Sequence, residues 1–158
     1  MPVIRIETDI GATPELCFDL ARDVDLHQAS TTSSNERAVA GVTHGRMALG
    51  DEVTWEATRL GVRQRLSSRI TTFEPPHLFV DEMVHGAFAR FRHEHVFVTR
   101  GDGTRMIDVF DYTSPLGLLG RIADVAFLRR YMTRLLQDRA RFLKLEAEAQ
   151  ARVSGVSR

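Results

Sequence analysis

Two histidines and an aspartate stand where the spacing of a β-hairpin puts them on one face. In one run Phe91, His93, His95 and Phe97 alternate with Arg92, Glu94 and Val96. After the turn residues Gly101-Asp102-Gly103, Met106, Asp108, Phe110 and Tyr112 alternate with Ile107, Val109 and Asp111. Side chains on a strand point to opposite faces with period two, so the first set of each run shares a face. That face collects aromatic rings, a methionine, two imidazoles and a carboxylate. Imidazole titrates near neutral pH, so beside a carboxylate it can hydrogen-bond a ligand, ligate a metal or move a proton. The same groups can instead tie up one another or a buried water as a packing network. A wall that only packed would use Val, Ile and Leu, because buried polar groups are costly without partners. The pattern therefore predicts a lined cavity.

Asp81 joins this face if Phe79 and Met83 point inward. Two imidazoles and two carboxylates suffice in type for zinc or non-haem iron. Both histidines ride on one stiff strand, however, and the four groups pair naturally with each other, so no bound metal and no cofactor are expected. His93-Glu94-His95 has neither the spacing nor the helical setting of a zinc-protease motif. No Ser-His-Asp order and no phosphate-binding glycine loop occurs. Trp55 shares its register with Val53 and Ala57, and Gln64 with Val62, Leu66 and Ile70, so both are placed inward, either in the core or on the cavity wall. Glu56 and the series Arg63, Arg65 and Arg69 fall on the opposite register and read as solvated cross-strand charge pairs. Cys17, beside Phe18, reads as a small buried hydrophobe.

The elements that must hold these groups are legible in order. Val3 to Thr8 alternates as a strand. Thr13-Pro14 supplies a cap and a first-turn proline for a short helix to about Arg22, and Asp23 to Ala29 forms a second. Strands follow at Glu36–Ala40, Glu52–Arg59 and, after a tight turn at Leu60-Gly61, Val62–Phe73. Glu74-Pro75-Pro76 interrupts the sheet, His77–Val84 resumes it, and His85-Gly86-Ala87 turns into the hairpin. Ser114-Pro115 repeats the helix-start signal, and an amphipathic helix is predicted from there to about Ala151. Its buried stripe is read through Leu119, Ile122, Ala126, Phe127, Met132, Leu135, Leu136, Phe142 and Leu143. A curved antiparallel sheet of seven strands with one long helix packs by wrapping around it.

The totals narrow the function. A chain of 158 residues fits one domain, here residues 1–152, with Val153 to Arg158 as a flexible tail. With 43% hydrophobic residues, 27% charged and a net charge of zero, nothing attracts nucleic acid or an anionic membrane globally. One cysteine excludes an internal disulfide and suits a reducing cytoplasm. The alternating N-terminus lacks the pattern of a signal peptide, and no apolar run reaches the roughly 20 residues of a membrane span.

Taken together, the element order, the Thr13-Pro14 helix and a set of local signals resemble the START-like, or SRPBCC, helix-grip superfamily over nearly the whole chain. Those signals are Phe79-Val80-Asp81-Glu82, Gly86, the Phe91-x-His93-x-His95-x-Phe97 run, Gly103-Thr104-Arg105, Asp108, Tyr112 and Ser114-Pro115-Leu116-Gly117. The similarity is to bacterial stand-alone ligand-binding members of the polyketide cyclase/dehydrase-like kind. It implies an α+β helix-grip fold with a cavity between sheet and C-terminal helix. Because this superfamily hosts many functions, three readings follow. The first is non-catalytic binding of a small hydrophobic or amphipathic molecule by a monomer or homodimer. Its wall would be Trp55, Gln64, Phe79, Phe91, Phe97, Met106 and Phe110, and its polar end Asp81, His93, His95, Asp108 and Tyr112. The second is a cyclase or dehydratase in which His93 or His95, paired with Asp108, handles a proton. The third is a protein-interaction module.

Overall fold

The computed structural model describes residues 2–32, 35–59, 61–114 and 127–156. The chain runs β1 (Val3–Ile10), α1 (Pro14–Ala21), α2 (Val24–Ser30), β2 (Arg37–Gly41), β3 (Glu52–Arg59), β4 (Val62–Glu74), β5 (Leu78–His85), β6 (Arg90–Arg100), β7 (Gly103–Thr113) and a helix, α3 (Arg129–Val156). All strand pairs are antiparallel, in the order β1-β7-β6-β5-β4-β3-β2. This is the expected helix-grip architecture. Register shifts in β4 against β5, at Ser67/Ser68 and Ile70/Thr72, and in β2 at Ala38/Ala40 supply bulges that bend and twist the sheet.

Both short helices begin as their sequences dictate. The Thr13 side chain accepts a hydrogen bond from the Leu16 amide at 3.4 Å with Pro14 in the first turn, and Asp23 accepts from Leu26 at 3.0 Å. Each cap satisfies an amide that would otherwise lack a partner, worth about 1 kcal/mol. The predicted start of the last helix leaves the described residues after Ser114, so Pro115 and, of its stripe, Leu119, Ile122 and Ala126 lie outside them, as does Leu60. Phe127, read as buried, is 52% exposed: it precedes α3 and stacks on Tyr131 rather than on the sheet. At its other end α3 runs past Ala151 to Val156, its outer turns joined by Gln150–Glu146 and Ser154–Gln150 bonds.

The buried face of α3 is Met132, Leu136, Ala140, Leu143 and Ala147, and the two alanines let its C-terminal half approach closely. There Lys144 Nζ donates to the Asp9 carbonyl at 2.5 Å, and the Gly11 amide donates to Glu148 Oε1 at 3.0 Å. The core falls into two aromatic groups. Around Phe18, the rings of Phe73, Phe79 and Phe97 lie 5.4, 5.4 and 5.6 Å away. Phe88, Phe91, Phe110 and Tyr112 pack with Met132 and Leu136 in the other. On the outer face, Glu56 is not a solvated partner of one arginine. Arg37, Arg63 and Arg65 close over it until only 4% is exposed, and their hydrogen bonds hold its carboxyl down at about 2.

Candidate functional site

Register brings the polar residues together. In the sheet ladder His95 stands opposite Asp108 and His93 opposite Asp81, so the four side chains meet on the concave face of β5, β6 and β7. They sit at the seam of the two aromatic groups: His95 stacks on Phe79, with centroids 4.3 Å apart, while His93 meets Phe110 edge-on at 5.3 Å.

His95 directs one nitrogen at each carboxylate, Nδ1 to Asp108 Oδ1 at 2.7 Å and Nε2 to Asp81 Oδ1 at 3.1 Å. A carboxylate only accepts, so both nitrogens donate and His95 is an imidazolium. Burial works against that charge, but the bonds to Asp108 and Asp81 prevail and raise its pKa. The two carboxyls are buried as well, which alone would raise their pKa values. The contacts with His95, and the nearness of His93, instead hold both below the usual range.

His93 is different. Its Nε2 lies 3.4 Å from Asp108 Oδ1 and its Nδ1 3.8 Å from Asp81 Oδ1, and Nε2 is buried without a hydrogen bond. Burial, followed by repulsion from the charged His95 ring 3.9 Å away, lowers its pKa and keeps it neutral. A buried nitrogen left this way normally costs on the order of 1–3 kcal/mol and calls for an explanation.

Three further residues complete the site, and none is apparent from the strand pattern. His27 on α2 lies between the sheet and α3. Its Nδ1 accepts from Arg139 Nη2 at 2.7 Å, and its Nε2 faces Glu36 Oε1 at 2.5 Å. Because a guanidinium can only donate, Nδ1 carries no proton and Nε2–H points to Glu36. Burial and then Arg139 push the His27 pKa down to about 4. The sequence signal for Arg139 is its position, three residues after Leu136 and four before Leu143 on the buried stripe. His27 offers less, since α2 spans only seven residues and shows no long period.

Among the described residues, small chambers of about 30, 50 and 50 Å³ open between sheet and helices, and His27, His93 and Arg139 line every one of them. The first extends beside Leu20, Leu26, Met106, Asp108 and Leu143. The second runs between Val53, Trp55, Ile70, Phe79 and Asp81, and the third toward Leu66, Phe88, Phe91, Phe110 and Met132. Each has room for a few waters. Apolar arms thus radiate from a polar node. Of the residues read as site candidates, Trp55, Phe79, Asp81, Phe91, His93, His95, Met106, Asp108 and Phe110 line these chambers. The other three do not. Phe97 is packed against Phe18, Tyr112 is fully buried against Phe88, and Gln64 is half-buried near the start of β4, opposite Ala57. Its neighbour in register, Val62, is 57% exposed. A wider hollow of about 540 Å³ on the outer face is lined mainly by polar groups, Glu36 and Glu56 among them.

Ligand atoms of Asp81, His93 and His95 all lie within 4.8 Å of one another, a donor set that could hold a metal ion in type. An ion there would displace the proton that His95 donates to Asp81.

Residues 1–148 match the model of a family described as polyketide cyclase / dehydrase and lipid transport. No curated protein matches the chain. Solved structures share the fold at low identity. A protein from Thermus thermophilus is 20% identical, with a TM-score of 0.78 over 95% of this chain and 99% of that one. The major latex-like protein 151 of Panax ginseng is 14% identical, with a TM-score of 0.68 over 92% and 97%. A Mycobacterium smegmatis protein is 17% identical, with a TM-score of 0.67 over 94% and 92%. No helix among the described residues is long and apolar enough to cross a membrane.

Proposed function

The chain belongs to the polyketide cyclase / dehydrase and lipid transport family, and from that premise we propose that it binds a small, mostly hydrophobic molecule without converting it, seating the polar end at His27, His93 and Arg139. The observation that supports this most is the convergence of three apolar-walled chambers on one node whose His93 Nε2 is buried and unbonded. A ligand atom placed there would satisfy that nitrogen. Pockets for drug-sized ligands measure roughly 300–1,000 Å³, so the occupant is either only a few heavy atoms or enters as Met106, Met132 and Leu136 repack. The test is mass spectrometry of small molecules released by denaturing the natively purified protein, with His93→Phe purified in parallel. A near-stoichiometric species in the parent, depleted in the variant, is the expected result. Equal recovery from both, or none from either, counts against it.

A second reading draws on the opposite protonation of the two histidines, whose rings lie 3.9 Å apart and tilted by 44°. Titratable neighbours whose environments push their pKa values apart form an acid/base pair, with imidazolium His95 the acid and neutral His93 the base. Such a pair would exchange a proton next to a carbonyl. Incubation with phenylacetone in D2O, followed by NMR, distinguishes this reading: deuterium enters faster than with His93→Phe if it holds, and at equal rates if it does not.

A further inference from the structure

We propose that the polar end of the ligand is a carboxylate received by Arg139 and His93, and that its arrival places a proton on His93. This rests on the ligand-binding reading above and specifies its head group. Arg139 reaches the node from α3, where it borders all three chambers. Among the described residues it makes one side-chain hydrogen bond, to His27 Nδ1. His27 is held in place to accept that bond, because Glu36 engages its other nitrogen and Trp55 stacks on its ring at 3.9 Å. The contact leaves most of the five donors of the guanidinium uncommitted, and their planar fork matches the two oxygens of a carboxylate. The same three chambers are bordered by His93, whose buried Nε2 is unbonded.

The charges around His93 explain the proton. The groups facing it are Asp81 from β5, His95 from β6, Asp108 from β7, Arg139 from α3 and His27 from α2. Asp81 and Asp108 are ionised, His95 and Arg139 are cations, and His93 and His27 are neutral, so these six groups balance to zero, and Glu36, which borders the third chamber behind His27, adds acidic character only. A carboxylate adds one negative charge to a buried site, where an unbalanced charge costs several kcal/mol. His93 removes the imbalance by taking one proton, and its Nε2–H then donates to the incoming oxygen. A neutral alcohol or amide induces no such change. His27 is less able to respond, because protonating Nδ1 would break its bond to Arg139.

Isothermal titration calorimetry near neutral pH, in phosphate and in Tris buffer, tests both halves with benzoate, benzamide and benzylamine, which share one apolar body. Benzoate is expected to bind at least about tenfold tighter than benzamide, with benzylamine weakest, and the two buffers to report uptake of about one proton per benzoate. Arg139→Gln should erase the preference for benzoate, Arg139→Lys should keep part of it, and Arg134→Gln on the exposed side of α3 should leave it intact. His93→Phe should bind benzoate more weakly and without proton uptake. Equal affinity for benzoate and benzamide would overturn the head-group assignment while leaving the ligand-binding reading in place. Tight benzoate binding with no proton uptake would overturn the role of His93. Binding of none of the three, with no small molecule recovered from the native protein, would remove the ligand-binding reading and this inference together.

Discussion

The imidazole of His27 lies flat on the indole of Trp55, with centroids 3.9 Å apart and planes 17° from parallel. Trp55 is the one tryptophan of the chain, so its emission reports on a single imidazole. A neutral ring stacks quietly on indole, whereas an imidazolium quenches its fluorescence. Emission should therefore stay level as pH falls through the ordinary histidine range and drop only near His27's own value of about 4, without the red shift of unfolding. A midpoint near 6.5, the ordinary value, would show His27 to be neither buried nor held by Arg139.

The same depressed pKa makes stability depend on acidity with a definite sign. Folded His27 resists a proton that the unfolded chain accepts. Its contribution is therefore whole above about pH 6.5 and is lost as pH falls toward about 4. Integrated over that window, the loss is about 3 kcal/mol. Urea unfolding of the parent and of His27→Gln at the two ends of the window should show the parent losing about 3 kcal/mol more than the variant. Parallel acid limbs would contradict the assignment.

Although two residues apart on one strand, His93 and His95 should respond differently to replacement by phenylalanine. His95 is an imidazolium between two carboxylates, and removing it leaves Asp81 and Asp108 buried without their shared cation, a loss on the order of 3–5 kcal/mol. His93 makes no hydrogen bond through Nε2 and stands against Phe110, so a phenyl ring there should cost less than about 1.5 kcal/mol. Denaturation midpoints of the two variants decide the matter, and equal losses would mean that both histidines are structural ties.

What can be read from the sequence follows from periodicity. A period of two puts His93, His95 and Asp108 on one face, and the ladder pairs His95 with Asp108 directly. Inward placement of Phe79 brings Asp81 to the same point. Three-dimensional closure supplies the rest. His27, Glu36 and Arg139 come from a seven-residue helix, the residue before β2 and the last helix, and no local repeat links elements so far apart. Glu56 departs from its solvated reading for a related reason: period two gives its face correctly but cannot show three arginines from two neighbouring strands folding over it. Tyr112 and Phe97 do face inward, yet the rings beside them close the space.

Lys144→Ala should weaken the junction of α3 with β1 by removing the donor to the Asp9 carbonyl and the partner of Glu148. A loss of about 1 kcal/mol is expected, with faster hydrogen exchange in the last turns of α3 and unchanged exchange in β6. No change at either place would show the contact to be incidental.

That junction also sets how the interior can yield. The polar fastenings of α3 to β1 lie at Lys144 and Glu148, whereas Met132 and Leu136 hold its other half by apolar contact. A rod fastened near one end, with only the Arg139–His27 bond tying its middle among the described residues, can pivot. Met132 stands about 18 Å along the axis from Lys144, so a tilt of about 5° carries it about 1.5 Å. Space for a guest would open as a wedge, widest beside Phe88, Phe91 and Phe110 and narrowest at the fulcrum, with Arg139 partway along the lever.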